Sequence, residues 1–182
     1  IASPGTTNVT FVASLQSDPF FEMYSVADER SAAYIDCGLA AEADEPVVLT
    51  CTGATASRNY YPALTEAYYR ALPVLAVTSS QVLCHTGQYF PQMLDRSVVA
   101  NDVVKHHVSV EPIENDEDRW KATDQINNAV LELTRNGGGP VNINLVTRYS
   151  RDFTVKELPE VRIIKRLMPS DEFPKIPSGR IG

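Results

Sequence analysis

Two adjacent carboxylates, Asp28 and Glu29, lie between a strand-like run, FEMYSVA, and an alanine-rich run that is typical of a helix, ERSAAYIDCGLAAEA. A carboxyl group at such a junction can hold or transfer a proton, which is the chemistry of a general acid or base. The pair can also be purely structural, with Asp28 as the N-cap and Glu29 in the first turn, where the helix dipole stabilises a negative charge by about 0.3 to 1 kcal/mol. The residue types leave both interpretations open.

The glycine-containing segments do not match the common phosphate-binding motifs. TGATASRN, residues 52–59, lacks the Lys-Ser/Thr end of a Walker loop and the GxGxxG spacing of a dinucleotide fingerprint. NGGGP, residues 136–140, leads into a strand-like run, so no helix N-terminus is available there to bind an anion. We interpret the second segment as a helix stop followed by a turn.

The histidines and cysteines form no pattern of a metal site or of an activated nucleophile. His106 and His107 are adjacent in a strand-like run and should point to opposite faces, whereas His85 stands in a loop from which it could face a ligand. No metal ligand is therefore predicted. The three cysteines have no zinc-site spacing, and we expect buried, reduced thiols at Cys37, Cys51 and Cys84.

Composition narrows the possible function classes. The chain has 182 residues, 43% hydrophobic and 21% charged, which is enough for one substantial core and a tail. A formal net charge of -7 argues against a nucleic-acid surface, because phosphate binding needs clustered Lys and Arg. No apolar run approaches the roughly 20 residues of a membrane span, and the start, IASPGTTN, lacks the features of a signal peptide. We expect a cytoplasmic protein, and the missing initiator Met indicates a fragment.

Short β-branched runs alternate with longer helical runs along the chain. Strands are predicted where the chain begins and at residues 21–27, 45–52, 72–80, 103–112 and 139–147. Helices are predicted at residues 8–17, 29–42, 57–69 and 116–135. This alternation predicts an α/β fold with a doubly wound, mostly parallel sheet of about six strands and helices on both faces.

In such a sheet, ligands usually bind at the carboxyl ends of the strands, where the chain leads into the helices. Four loops occupy that position, and all four are rich in residues that turn tightly and offer hydrogen bonds. They are SPGTTN, ADERS, TCTGATASRN and TSSQVLCHTGQYFPQ.

Taken together, four motifs resemble the pyrimidine-binding domain of thiamine diphosphate enzymes, in the acetolactate synthase-like and SEPHCHC synthase-like branch. They occur in that family's order and spacing over residues 1–150, and DERSA followed by CT…N is the most specific element. The motifs are SPGTTN, DERSAAYIDCGLAAEADEPVVLTCTGATASRNYYPALTEA, LPVLAVTSSQ and GGGPVNINL.

The resemblance gives Glu29 a chemical role, since it corresponds to the glutamate that hydrogen-bonds N1′ of the cofactor's aminopyrimidine ring. A proton shared with N1′ favours the imino tautomer, whose 4′-nitrogen can deprotonate C2 of the thiazolium for attack on a 2-oxo acid. Glu29 is then both the catalytic acid and a cofactor-binding residue. The other cofactor-binding residues that the resemblance implies are Pro4, Gly5, Thr6, Thr52, Gly53, Thr55 and Asn59.

Three residues are expected on the substrate side of the site: Thr7, His85 and Gln92. Thr6 and Thr7 stand where SEPHCHC synthases have a Ser-Arg pair that helps to hold substrate carboxylates, so the same contacts do not carry over unchanged. Gln92 falls near a glutamine that faces the active site in acetolactate synthases. His85 joins them because of its place in a strand-to-helix loop.

The resemblance also implies partners for this chain. In the family, thiamine diphosphate and Mg²⁺ are held by a separate domain through a GDG motif, and this sequence contains no GDG. We expect a diphosphate-binding domain of the same or another chain, in a homodimer or tetramer, with no nucleic-acid or membrane partner. Residues 1–150 would be the pyrimidine domain, truncated at its N-terminus, and residues 151–182 a linker or tail toward a missing domain. The chain alone would be inactive.

Two alternatives accompany this interpretation. One is a subunit of a phosphonopyruvate or sulfopyruvate decarboxylase, in which small pyrimidine-domain chains can occur separately. The other is a non-catalytic, flavodoxin-like α/β binding module, in which Glu29 is only a charge at a helix start.

Overall fold

The computed structural model describes residues 1–96, 98–148, 160–167 and Ser170. Within these residues, the helices are α1 (Val9–Ser17), α2 (Glu29–Ala43), α3 (Tyr61–Arg70) and α4 (Asp116–Glu132). The strands are β1 (Val47–Thr52), β2 (Val74–Ser80), β3 (His106–Val110) and β4 (Val141–Val146). Short 3₁₀ segments cover Thr55–Tyr60, Leu83–His85 and Arg135–Gly137.

The four strands form one parallel sheet in the order β1-β2-β4-β3. Thr50 of β1 lies opposite Val77 of β2, and Val77 lies opposite Ile143 of β4. Because all strands run in the same direction, their carboxyl ends share one edge of the sheet. The α/β class and the parallel pairing predicted from the sequence are confirmed.

The predicted count of about six strands is too high for the described residues. The segment at the chain start forms only isolated bridges, from Ala2 to Ser25 and from Ala2 to Thr50, and the segment at residues 21–27 forms only the first of these. The bridge to residue 25 consists of hydrogen bonds from Ala2 N to Tyr24 O at 2.8 Å and from Val26 N to Ala2 O at 3.0 Å. This ladder cannot continue past Ser3, because Pro4 has no N–H to donate and begins a turn.

Side chains of a strand alternate between the two faces of the sheet, and here each face has its own apolar core. On one face, Leu49 and Ala76 pack with the buried alanines of α2 and α3. On the other face, Val141 and Ile143 pack with Ala129 of α4 and its neighbours. Helices therefore cover both faces, as predicted.

The helix boundaries follow local signals. Asp28 caps α2, because its Oδ2 accepts a hydrogen bond from Ser31 N at 2.7 Å. The helix predicted at 57–69 is divided into a 3₁₀ segment and α3, which has Pro62 in its first turn, where a missing N–H costs nothing. The helix predicted to reach residue 135 ends at Glu132, and Asn136 and Gly137 then adopt left-handed backbone angles, which forms the predicted turn.

Part of the predicted linker lies against α4. The Asn127 side chain donates to Arg162 O at 2.9 Å and accepts from Ile164 N at 2.8 Å. The Arg162 guanidinium also lies 4.9 Å from the centre of the Trp120 ring. The rest of the predicted linker, residues 151–159, 168–169 and 171–182, lies outside the described residues. Among the described helices, none is both long and apolar enough to cross a membrane.

Candidate cofactor-binding site

A cleft of about 320 Å³ opens at the carboxyl ends of the parallel strands. It draws residues from all four of the loops that follow the predicted strands, and eight of its ten lining residues were expected at a site from the sequence. The lining residues are Pro4, Gly5, Thr6, Glu29, Thr52, Ala54, Thr55, Ala56, Asn59 and Gln92.

Glu29 is the first residue of α2 and is half-buried at the cleft. Its neighbour Asp28 performs the capping role, through the bond to Ser31 N. The Glu29 carboxylate makes no hydrogen bond or ion pair with any described residue. The capping role therefore belongs to Asp28, while the Glu29 carboxylate faces the cleft without a partner in the described part of the chain.

Two buried groups close to Glu29 are uncharged at neutral pH. Burial raises the pKa of the Cys51 thiol to about 12, and the negative charge of Glu29 acts in the same direction. Burial also raises the pKa of the Tyr60 hydroxyl, which lies close to Cys51. Both groups stay protonated near pH 7. The Glu29 carboxylate therefore faces the cleft beside two neutral, buried groups.

The first loop is fixed against the sheet. A Cβ at Gly5 would lie 2.1 Å from Thr52 Cγ2, so this close approach of the loop to β1 requires glycine. The Thr7 hydroxyl donates to Ser79 O at 2.7 Å and accepts from the Ser79 hydroxyl at 2.9 Å. Thr7, expected on the substrate side, is turned toward β2 and does not line the cleft.

The loop after β1 is held by a second close approach. Gly53 N donates to Ser79 O at 2.5 Å, and a Cβ on Gly53 would lie 2.7 Å from that same oxygen. The Ser57 hydroxyl donates to the carbonyl oxygens of Gly53, at 3.1 Å, and Ala54, at 2.7 Å. Gly53 lies behind the cleft wall, whereas Thr52 and its neighbours after residue 53 line it.

Of the two residues in the loop after β2 that were expected at the site, one lines the cleft and the other does not. Gln92 lines the cleft and has a left-handed φ of 60°. The His85 ring stacks on the Phe90 ring, with the ring centres 4.2 Å apart, and does not line the cleft. Cys84 of the same loop is exposed, so the expectation of three buried thiols is wrong for this residue, although Cys37 and Cys51 are buried. A loop that packs mainly on itself leaves its thiol in solvent.

Some contributors to the site were not expected from the sequence. Ala54 and Ala56 line the cleft with small apolar surfaces, and Arg96 reaches the loop after β1 from behind. The alanines could have been found from their place between expected residues. Arg96 carries no such signal, because 43 residues separate it from Gly53. Within the described residues, no group of three or more His, Cys, Asp and Glu is placed to hold a metal ion.

A parallel α/β sheet with a carboxylate in a cleft at its carboxyl edge defines a class of cofactor-binding domains. Residues 1–99 match the family described as thiamine pyrophosphate enzyme, N-terminal TPP binding domain. The chain belongs to this family. The match includes every residue that lines the cleft.

Several relatives of the chain share one name, 2-succinyl-5-enolpyruvyl-6-hydroxy-3-cyclohexene-1-carboxylate synthase. The chain is 37% identical to the Bacteroides thetaiotaomicron protein over 167 residues, which are 91% of this chain and 30% of that protein. It is 38% identical to the Bacteroides fragilis protein over the same shares. The Flavobacterium johnsoniae protein is 32% identical over 165 residues, 87% of this chain and 28% of that protein. The chain thus spans about 30% of the length of the first two curated relatives.

Proposed function

We propose that this chain supplies the pyrimidine-binding part of a thiamine diphosphate-dependent enzyme that decarboxylates a 2-oxo acid and transfers the resulting acyl group, with Glu29 as the catalytic acid. The observation that carries the proposal is the Glu29 carboxylate, which has no partner among the described residues and lies in a cleft built from four loops. Membership of the thiamine pyrophosphate family and the synthase activity of the relatives support it.

The residues of the cleft fit an aminopyrimidine ring. The two alanines, Ala54 and Ala56, offer flat apolar contact, while Thr52 and Asn59 offer polar groups at the rim. Glu29 adds a carboxylate that can bond a ring nitrogen. When bound, thiamine diphosphate supplies the carbon nucleophile that attacks the 2-oxo acid.

Glu29 would act by holding a proton at its carboxylate oxygen against the ring nitrogen. Cys51 and Tyr60, the buried groups on which the Glu29 charge acts, stay neutral and add no further negative charge beside it. Half-burial removes part of the solvent that would otherwise weaken this bond. The proton could then be shared between the Glu29 carboxylate and the ring nitrogen, which is the requirement for acid–base work at that position.

The remaining parts of the proposal come from the resemblance. Diphosphate and Mg²⁺ would be held by a diphosphate-binding domain of the same or another chain, in a cytoplasmic homodimer or tetramer. The substrate side would include Gln92, since it lines the cleft, rather than Thr7 or His85, which do not. The pyrimidine-contacting set would be the lining residues Pro4, Gly5, Thr6, Glu29, Thr52, Thr55 and Asn59.

The test is Glu29→Gln in the complete protein that contains this chain, with Glu42→Gln as the control. Glu42 lies on the same helix, is exposed and lies outside the cleft, so both variants remove one negative charge from α2. We expect Glu29→Gln to lower kcat for 2-oxo acid decarboxylation by about 100-fold or more, with an unchanged circular dichroism spectrum, and Glu42→Gln to match the wild type. A folded Glu29→Gln protein with wild-type turnover would remove Glu29 from the chemistry.

A further inference from the structure

Arg96 is an arginine buried behind the cleft, with 5% of its surface exposed. Its guanidinium donates to three neutral acceptors: Gly53 O at 3.0 Å, the Ser57 hydroxyl, and Asn142 Oδ1 at 3.4 Å. The ion pairs found within the described residues do not include Arg96. Burying a cation against neutral groups costs desolvation free energy, so we expect these contacts to serve a structural role.

Two of the three acceptors belong to the loop after β1. The Ser57 hydroxyl already bridges the carbonyl groups of Gly53 and Ala54, and Arg96 bonds both that hydroxyl and the Gly53 carbonyl. The Gly53 amide donates to Ser79 O. The start of the 3₁₀ segment Thr55–Tyr60 is therefore fixed by groups that all lie on the side away from the cleft.

The third acceptor anchors Arg96 to the sheet. Asn142 donates through Nδ2 to Ala76 O at 2.8 Å, so its Oδ1 is the acceptor for Arg96 and for one further group. This group is His107, whose Nδ1 lies 2.8 Å from Asn142 Oδ1 and therefore carries the proton. Burial lowers the pKa of His107, which keeps the ring neutral beside the guanidinium. Arg96 thus connects the second residue of β4 with the loop that forms the cleft wall.

The segment that carries Arg96 also forms the opposite wall. Gln92, four residues earlier, lines the cleft. A second arginine strengthens the connection, because Arg58 of the 3₁₀ segment donates to Asp95 O at 3.2 Å. Arg58 and Arg96 therefore link the two walls through reciprocal bonds, one from each segment to the other.

We propose that Arg96 is a positioning residue that holds the loop after β1 in the shape that receives the aminopyrimidine. It contacts Gly53 and leaves the ligand to the residues on the other side of the wall, Thr52, Thr55 and Asn59. This inference rests on the proposed function for the identity of the ligand, whereas the positioning of the loop itself can be tested without it.

The test compares Arg96→Met and Arg96→Lys in the complete protein with Arg70→Met. Arg70 is exposed and pairs with Glu66 at 3.5 Å, so its replacement removes the same charge from the surface. Amide hydrogen exchange of residues 53–60 is measured without cofactor, and the Kd for thiamine diphosphate with Mg²⁺ is measured per folded molecule.

We expect Arg96→Met to speed exchange at residues 53–60 by about tenfold or more, with β2 and β4 unaffected. The Kd should rise by about tenfold or more. Arg96→Lys should recover part of both losses, because its ammonium can still donate to Gly53 O, and Arg70→Met should change neither quantity. If Arg96→Met does not fold, Arg96→Gln takes its place with the same expectations.

Unchanged exchange at residues 53–60 in a folded variant would overturn the proposal, as would faster exchange spread evenly over the sheet, which would indicate a purely structural role. An unchanged Kd in a protein that binds the cofactor would also overturn it. Should the wild-type protein not bind thiamine diphosphate at all, the proposed function fails, and the exchange measurement still decides whether Arg96 positions the loop.

Discussion

The loops after β1 and β2 leave the same edge of the sheet, yet they are held in different ways. The loop after β1 is fixed by residues distant in sequence, with Ser79 and Arg96 bonding Gly53. The loop after β2, residues 81–92, bonds mostly to itself, as in Thr86 N to Leu83 O at 2.9 Å and the Gln88 side chain to the carbonyl of residue 84 at 3.1 Å.

The cleft therefore has one wall that is held by distant residues, the loop after β1, and one that is held mainly by its own bonds, the loop after β2. The loop after β1 carries most of the expected cofactor contacts and is pre-organised, so little order has to be gained when a ligand binds. The loop after β2 contributes Gln92, and its Tyr89 is fully exposed. A segment with few buried contacts opens at low free-energy cost. We therefore expect the loop after β1 to contact the cofactor that the family shares, and the loop after β2 to contact the substrate, which varies.

The largest expected effect comes from adding one methyl group to each loop. In Gly53→Ala, the new Cβ would meet Ser79 O at 2.7 Å and Ser79 C at 2.9 Å, which are backbone atoms that cannot swing aside. We expect a loss of about 3 kcal/mol in the free energy of unfolding. In Gly87→Ala, no atom lies within 4 Å, and only the left-handed φ of 78° is unfavourable, which costs about 1 kcal/mol. Urea denaturation measures both, and equal losses would show that the loops are equally constrained.

The two loops can also be compared by the rates at which a thiol beside or within each of them is labelled. Cys51 lies near the end of β1, just before the loop after β1, and its pKa of about 12 leaves almost no reactive thiolate at pH 8. Cys84, in contrast, is exposed in the loop after β2. We expect iodoacetamide to label Cys84 about 100-fold faster or more, by peptide mass spectrometry. Between pH 7 and 9 the Cys51 rate should rise without a plateau. Similar labelling rates for the two thiols would mean that the loop after β1 opens readily.

The smallest expected effect comes from removing one side-chain hydrogen bond in each loop. Ser57→Ala removes the buried hydroxyl that bonds Gly53 O and Ala54 O and accepts from Arg96, and should cost about 1 to 2 kcal/mol. Gln88→Ala removes an exposed hydrogen bond within the loop after β2 and should lower the free energy of unfolding by less than about 0.5 kcal/mol. Thermal unfolding monitored by circular dichroism compares them, and a larger loss at Gln88 would reverse the contrast.

Much of the fold could be predicted because it depends on short-range patterns. Runs of Val, Ile and Leu mark the strands, and Asp28 was predicted and found as the cap of α2. The excess in the strand count has the same origin, since FEMYSVA has the composition of a strand but finds only one bridging position opposite Ala2. Composition measures how suited a segment is to pairing, while the length of the neighbouring segment limits how much pairing occurs.

The sequence by itself determined that this is a parallel α/β domain with a carboxylate, Glu29, at a helix start beside three other polar loops. Those features depend on backbone preferences and on bonds between residues a few positions apart. Only the tertiary structure decided that Thr7 turns toward Ser79, that Cys84 is exposed and that Arg96 meets Gly53 across 43 positions. The reason is physical: which distant groups meet is set by strand register and packing, and no local pattern encodes either.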